Sequence, residues 1–194
     1  MKLVLSGTPC TGKTTLAQEL SKQTNWPVID LNALVKKEGL NLGKQGREYV
    51  ADLRRLRSRV LKLVKGKEHW IVEGHLACEI SLPADVVAVL RADPLLLLKR
   101  MKARKYALHK VADNVFCEIL DYCLIQSEFN YRHARIIQLD TTRGLSAKHA
   151  INRLKSRQSD CVDWSELVHD KRLAFLLRNN TPRDVLKGLK SRRA

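Results

Sequence analysis

Gly7-Thr8-Pro9-Cys10-Thr11-Gly12-Lys13-Thr14 lies just inside the N-terminus and matches G-x-x-x-x-G-K-[S/T]. Its flanks are those the pattern requires. Leu3-Val4-Leu5 is a short apolar run of strand type, and Leu16, Ala17 and Leu20 share one face of a helix predicted from Thr14 to Gln23. In a strand–loop–helix setting the backbone N–H groups of the loop form an anion nest at a helix N-terminus. Lys13 is expected to reach the β- and γ-phosphates of ATP, and the Thr14 hydroxyl to ligate Mg²⁺. Gly7, Pro9, Cys10, Thr11, Gly12 and Thr15 complete the expected nucleotide contacts. Cys10 stands where a glycine would let the backbone lie close to phosphate, and its Cβ restricts φ. A thiol near a helix N-terminus has a lowered pKa, which would make the loop redox-sensitive. The plainer reading is a small residue filling space.

Outward from the loop, strand and helix signals alternate. Pro27-Val28-Ile29, Trp70-Ile71-Val72, Val86 to Leu90 and Arg135 to Leu139 read as four more strands. Leu31 to Lys37 reads as a short helix. Gly39 to Gly46 holds three glycines and reads as a mobile loop. Tyr49 to Val64 reads as a long basic helix with Val50, Leu53, Leu56, Val60, Leu61 and Val64 on one face. Further helices are expected from Pro94 to Arg104, from Val111 to Tyr131, and from a Ser146 cap to Ser156. Lys105 to His109 reads as a short lid or turn. Five strands separated by helices predict an α/β fold with a parallel sheet and right-handed crossovers. The last 44 residues carry 11 Lys+Arg against 5 Asp+Glu, with helical patterns at Trp164 to Leu177 and after Thr181-Pro182. They read as an extension packed on, or tethered to, the core.

Composition narrows the function classes. Thirty-six Lys+Arg against 20 Asp+Glu give a net charge of +16. That suits polyanionic partners such as RNA, or simply a solvated basic surface. Nine cations between Lys44 and Lys67, against Glu48 and Asp52, make the long helix the best RNA-facing candidate. With aromatics at 5%, salt-dependent phosphate contacts are expected rather than base stacking. No apolar run is long enough to span a membrane, and Met1 to Gly7 is too short for a signal peptide. The five cysteines include no C-x-x-C pair, so neither a disulfide framework nor a zinc site is expected, and a cytoplasmic setting is.

Several side chains outside the loop bear on chemistry. Glu73 ends an apolar strand, where phosphate-loop proteins place a metal-associated carboxylate. His75, two residues on, would share its face and could assist proton transfer. A satisfied strand-end carboxylate and a structural hydrogen bond are the alternatives. Arg91, Arg100 and Arg104 lie on or beside the helix leading to the lid, where guanidinium would stabilise a transferring phosphoryl group. Asp30 and Asn32 follow the second strand; an acceptor contact and an N-cap by Asp30 are both open.

The order of these elements carries a resemblance. The phosphate loop, Ile71-Val72-Glu73-Gly74-His75, Val89-Leu90-Arg91-Ala92-Asp93, and Arg104-Lys105-Tyr106 leading to Asp113-Asn114-Val115-Phe116-Cys117-Glu118 together resemble the adenylate kinase isoenzyme 6 family. These are small archaeal and eukaryotic kinase/ATPases linked to maturation of the small ribosomal subunit. The resemblance spans about residues 1 to 156. It implies a nucleoside monophosphate kinase-like P-loop core over residues 1–156, an NMP-binding insertion at about 30–64 and a lid at about 104–113. A basic helical extension at 157–194 lies outside it. It implies transfer of phosphate from ATP to AMP, hydrolysis of ATP, and binding of a small-subunit ribosomal protein, with a nuclear location in a eukaryote. It also implies roles for Lys13, Glu73, His75, Arg100 and Arg104 in catalysis, for Thr14 and Glu73 around Mg²⁺, and for Asn114 and Glu118 at the lid. The chain departs from the family where Cys10 and Lys105 replace glycine. The residues also leave open a nucleotide-gated binding module with little turnover, and a kinase for another small molecule.

Overall fold

The computed structural model describes residues 1–45 and 48–179. Five strands, β1 (Lys2–Gly7), β2 (Val28–Asp30), β5 (Trp70–Glu73), β6 (Val86–Arg91) and β7 (Arg135–Asp140), form one parallel sheet in the order β2-β5-β1-β6-β7. Strands β5 and β6 are buried along their whole length, as expected of a parallel sheet covered on both faces. The pleat divides β1 between two layers. Leu3 and Leu5 join Leu16, Leu20 and Ile71 on one face, together with Ala150 and Leu154 from the Ser146-capped helix α7 (Ala147–Ser156). Val4 joins Leu31, Leu56, Val60 and Trp70 on the other. Helices α1 (Lys13–Thr24) and α7 therefore cover one face, and α2 (Leu31–Glu38) and α3 (Leu53–Val64) the other.

The strand order reverses around β1. From β1 the chain builds β2 and β5 on one side, then crosses to β6 and β7 on the other, and the crevice beyond the carboxyl ends at that switch is where such sheets bind ligands. The phosphate loop leaves β1 there, between Glu73 at the end of β5 and Arg91 at the end of β6.

Three elements differ from the sequence reading. The expected loop at Gly39 to Gly46 contains β3 (Asn41–Gln45), which pairs antiparallel with β4 (Glu48–Ala51). The long helix begins at Leu53, not Tyr49, because the Asp52 carboxylate caps it by accepting from Arg55 N at 3.0 Å. The helix expected from Val111 to Tyr131 is two helices, α5 (Leu108–Ile119) and α6 (Tyr122–Asn130). Asp121 between them adopts a left-handed conformation (φ 53°) and is bound by the Arg91 guanidinium.

A third apolar cluster lies beyond the sheet's end. Leu97 and Met101 of α4 (Pro94–Ala103) meet Val111 and Val115 of α5, and Leu173 and Leu176 of α8 (Lys171–Asn179) seal them. The described part of the C-terminal segment is thus packed on the core, edged by Cys10 and Tyr106. The helix expected after Thr181-Pro182, the basic tail, and Gly46 and Arg47 lie outside the described residues.

Candidate active site

The loop's geometry follows from two glycines and one lysine. A Cβ on Gly7 (φ 133°) would stand 2.3 Å from the Leu90 carbonyl oxygen, so only glycine lets β1 turn into the loop beside β6. Gly12 (φ 96°) is the left-handed residue that starts α1. Lys13 folds back, its Nζ donating to the carbonyls of Gly7 (2.8 Å) and Thr8 (2.9 Å). An ammonium has three donors, which leaves a third for a phosphate oxygen. Burial holds the Lys13 pKa below the ordinary lysine range, and the nearby Glu73 charge works against that shift. Cys10 takes φ 71°, a conformation that costs an L-residue about 1–2 kcal/mol.

Above the loop is a cavity of about 990 Å³, at the upper end of the roughly 300–1,000 Å³ typical of small-molecule sites. Pro9 to Thr15 form its floor. Asn32 of α2, Glu73 at the end of β5 and His75 just after it line the cavity, as do Arg100 of α4 and Arg104 and Lys105 just after that helix. Lys110, Asp113 and Asn114 enter from α5, and Thr141, Gly144 and Leu145 from the segment after β7. Arg100 reaches the floor directly, Nη1 donating to the Cys10 carbonyl at 3.0 Å. The Tyr106 hydroxyl interacts with the Cys10 thiol and Arg104, and burial first, then Cys10, raises its pKa.

Thr14 Oγ1 donates to Glu73 Oε1 at 2.8 Å. A hydroxyl and a carboxylate side by side are a hard-oxygen pair of the kind Mg²⁺ takes beside substrate phosphates and water. Among the described residues no cluster of three or more His, Cys, Asp and Glu could hold a metal alone. Burial raises the Glu73 pKa, opposed by the Thr14 hydrogen bond. Burial, reinforced by the Lys13 charge, pushes the His75 imidazole down to about 4, so it is neutral near pH 7.

The structure thus brings Lys13, Thr14, Glu73, His75, Arg100 and Arg104 around one cavity, with Pro9 to Thr15 beneath. Gly7 stands behind the loop rather than in the cavity wall. Two expectations are corrected. Arg91 faces away from the cavity and is buried, with Nε on Glu118 Oε1 (2.8 Å), Nη1 on Gln138 Oε1 (2.8 Å) and Nη2 on Asp121. It is a structural ion pair, not a phosphoryl contact. Glu118 is buried under the loop in that same pair, while Asn114 lines the cavity. Asp30 serves as the cap of α2, accepting from Asn32 N (2.8 Å) and Ala33 N (3.0 Å). Sequence reasoning passed over Thr141, whose Oγ1 donates to the Thr11 carbonyl at 2.9 Å. Its position just past the end of a parallel strand was the available signal.

Fold and site together define a P-loop phosphotransferase. The sequence matches the AAA domain family over residues 3–121, and the chain belongs to that family. It belongs equally with a curated archaeal group. A protein of Thermococcus onnurineus named "Putative adenylate kinase" is 33% identical over 184 residues, covering 91% of this chain and 98% of that one. Among solved structures, shikimate kinase from Bacteroides thetaiotaomicron superposes with a TM-score of 0.53 at 21% identity, over 80% of this chain and 96% of that one. Deoxyadenosine kinase from M. mycoides with bound dATP gives 0.51 at 18% identity, over 81% and 98%. These two likenesses establish the α/β P-loop kinase fold.

Proposed function

We propose that this chain is an adenylate kinase, passing the γ-phosphoryl group of ATP to AMP. The observation that carries the reading is one cavity lined together by the phosphate loop, Glu73, His75, Arg100 and Arg104. Phosphoryl transfer asks little covalent chemistry of a protein; it asks for positioning and for cations around the moving charge. The loop N–H groups and the third Lys13 donor hold the donor phosphates. Arg100, tied to the loop through Cys10, and Arg104, at the end of α4, stand where charge develops on the transferred group. Thr14 and Glu73 would hold Mg²⁺, which when bound neutralises phosphate charge. The segment from Arg104 to Ala107 roofs the cavity and excludes water when substrates are in place. The archaeal relatives' name supports the same acceptor.

Transfer to water is the second reading, and the neutral His75 beside Glu73 supports it. A neutral imidazole nitrogen can accept a hydrogen bond from an attacking water and orient it, although at a pKa of about 4 it is a weak base. In this form the protein couples ATP hydrolysis to maturation of the small ribosomal subunit, held by a ribosomal protein or by RNA. Support for a polyanionic partner comes from the exposed Arg54, Arg55, Lys62 and Lys65 on and just after α3. A cytoplasmic location suits either reading, and among the described residues no helix is long and apolar enough to cross a membrane.

Measuring ADP formed from ATP·Mg²⁺, with and without AMP, separates the readings. The adenylate kinase reading expects turnover stimulated by AMP and reduced about 10²–10³-fold in Lys13→Ala. Turnover indifferent to AMP supports hydrolysis. A non-nucleotide acceptor that outcompetes AMP overturns both.

A further inference from the structure

We propose that Glu118 is a positioning residue of the phosphate loop, holding Thr8 from below and thereby fixing the seat of Lys13. The inference rests on the nucleotide-binding half of the reading above and is independent of the acceptor. Three observations lead to it. First, Thr8 Oγ1 donates to Glu118 Oε2 at 2.5 Å, a buried bond between residues 110 positions apart. A hydroxyl–carboxylate contact this short is of the strong, charge-assisted kind. Second, the other carboxylate oxygen is anchored to the sheet. Glu118 Oε1 accepts from Arg91 Nε at 2.8 Å and from Ala92 N at 3.1 Å, and the Glu118 carbonyl accepts from Arg91 Nη2 at 3.0 Å. Glu118 is therefore a fixed point rather than a side chain that follows the loop. Third, the Thr8 carbonyl accepts from Lys13 Nζ (2.9 Å) and from Thr11 Oγ1 (2.9 Å). Glu118 holds Thr8, and Thr8 presents a carbonyl that aims the ammonium.

The same carboxylate also connects the loop to the cavity roof. Lys110, Asn114 and Glu118 recur every fourth residue along one face of α5. Lys110 and Asn114 line the cavity, and Glu118 lies under the loop one turn further on. Helix α5 starts immediately after the segment that roofs the cavity. Helix α5 thus joins the cavity roof to the fixed carboxylate beneath Thr8. Without this bond the loop would keep its fold but lose a fixed geometry for Lys13. Positioning of that kind is felt in phosphate affinity and in rate, not only in stability.

Calorimetric titration with ATP·Mg²⁺ tests it on the full chain, beside a thermal melt of each variant. Thr8→Val exchanges the hydroxyl for a methyl of similar size and is expected to weaken ATP binding about tenfold, close to 1.4 kcal/mol. Thr8→Ser, which keeps the hydroxyl, should bind within about twofold of the parent. Glu118→Gln should weaken binding similarly, and the double variant should be no worse than either single one, the signature of one shared interaction. Should Thr8→Val not fold, the comparison of Glu118→Gln with Thr8→Ser carries the test. A lowered melting temperature with ATP affinity within twofold of the parent in Thr8→Val and Glu118→Gln would make the contact merely structural and overturn the proposal. Lys13→Ala serves as the control. If it too binds ATP as the parent does, the nucleotide-site reading falls and takes this inference with it.

Discussion

At the scale of single residues, the site is built from groups whose burial sets their charge state. His75 is the clearest case. Its imidazole titrates at about 4 in the folded chain, against an ordinary value of 6.5, because burial and the Lys13 charge disfavour the cation. The unfolded chain therefore binds the extra proton first as pH falls. Stability from this residue is fully present above about pH 6.5 and is lost between there and about pH 4, on the order of 2–3 kcal/mol in all. Urea unfolding of the parent and His75→Gln at pH 7 and pH 5 checks this: the parent should lose more stability over that interval than the variant. Lys13 and Thr14 were legible in the sequence because the loop pattern is local and its geometry is set by Gly7 and Gly12. Glu73 and His75 were legible because they follow an apolar strand. The Thr8–Glu118–Arg91 network was not, since its partners lie 110 and 27 residues apart and only the folded chain brings them together.

At the scale of elements, the five sheet strands were readable because each is an apolar run flanked by turn residues or charge. The β3–β4 hairpin was not, because its apolar residues Leu42 and Tyr49 face water, at 71% and 63% exposed, rather than a core. Val50 also fitted the helical stripe of α3, which hid the Asp52 cap. The break between α5 and α6 carries no glycine or proline. There Asp121 takes the left-handed conformation and is held by the buried Arg91 guanidinium, a contact that only the folded chain provides. Helix α8 matters more than its place in a basic C-terminal segment suggested. Leu173 is fully buried against α4 and α5, the helices on either side of the Arg104 to Ala107 segment. Leu173→Ala should cost about 2–4 kcal/mol of stability by opening that cluster. A melting-temperature shift measured beside an exposed control, Val168→Ala, checks the size of the effect.

At the scale of the molecule, the sheet's switch point, the phosphate loop and the α4–α5 roof enclose one cavity, while much of the basic charge on α3 faces solvent. In the proposed reaction a donor and an acceptor nucleotide share that cavity. Diadenosine pentaphosphate, which carries both adenosines on one polyphosphate, tests the claim most directly by calorimetric titration. One molecule should bind per chain, displaced by ATP and by AMP, with binding lost in Lys13→Ala. A chain that binds ATP but neither AMP nor the bisubstrate compound would contradict it.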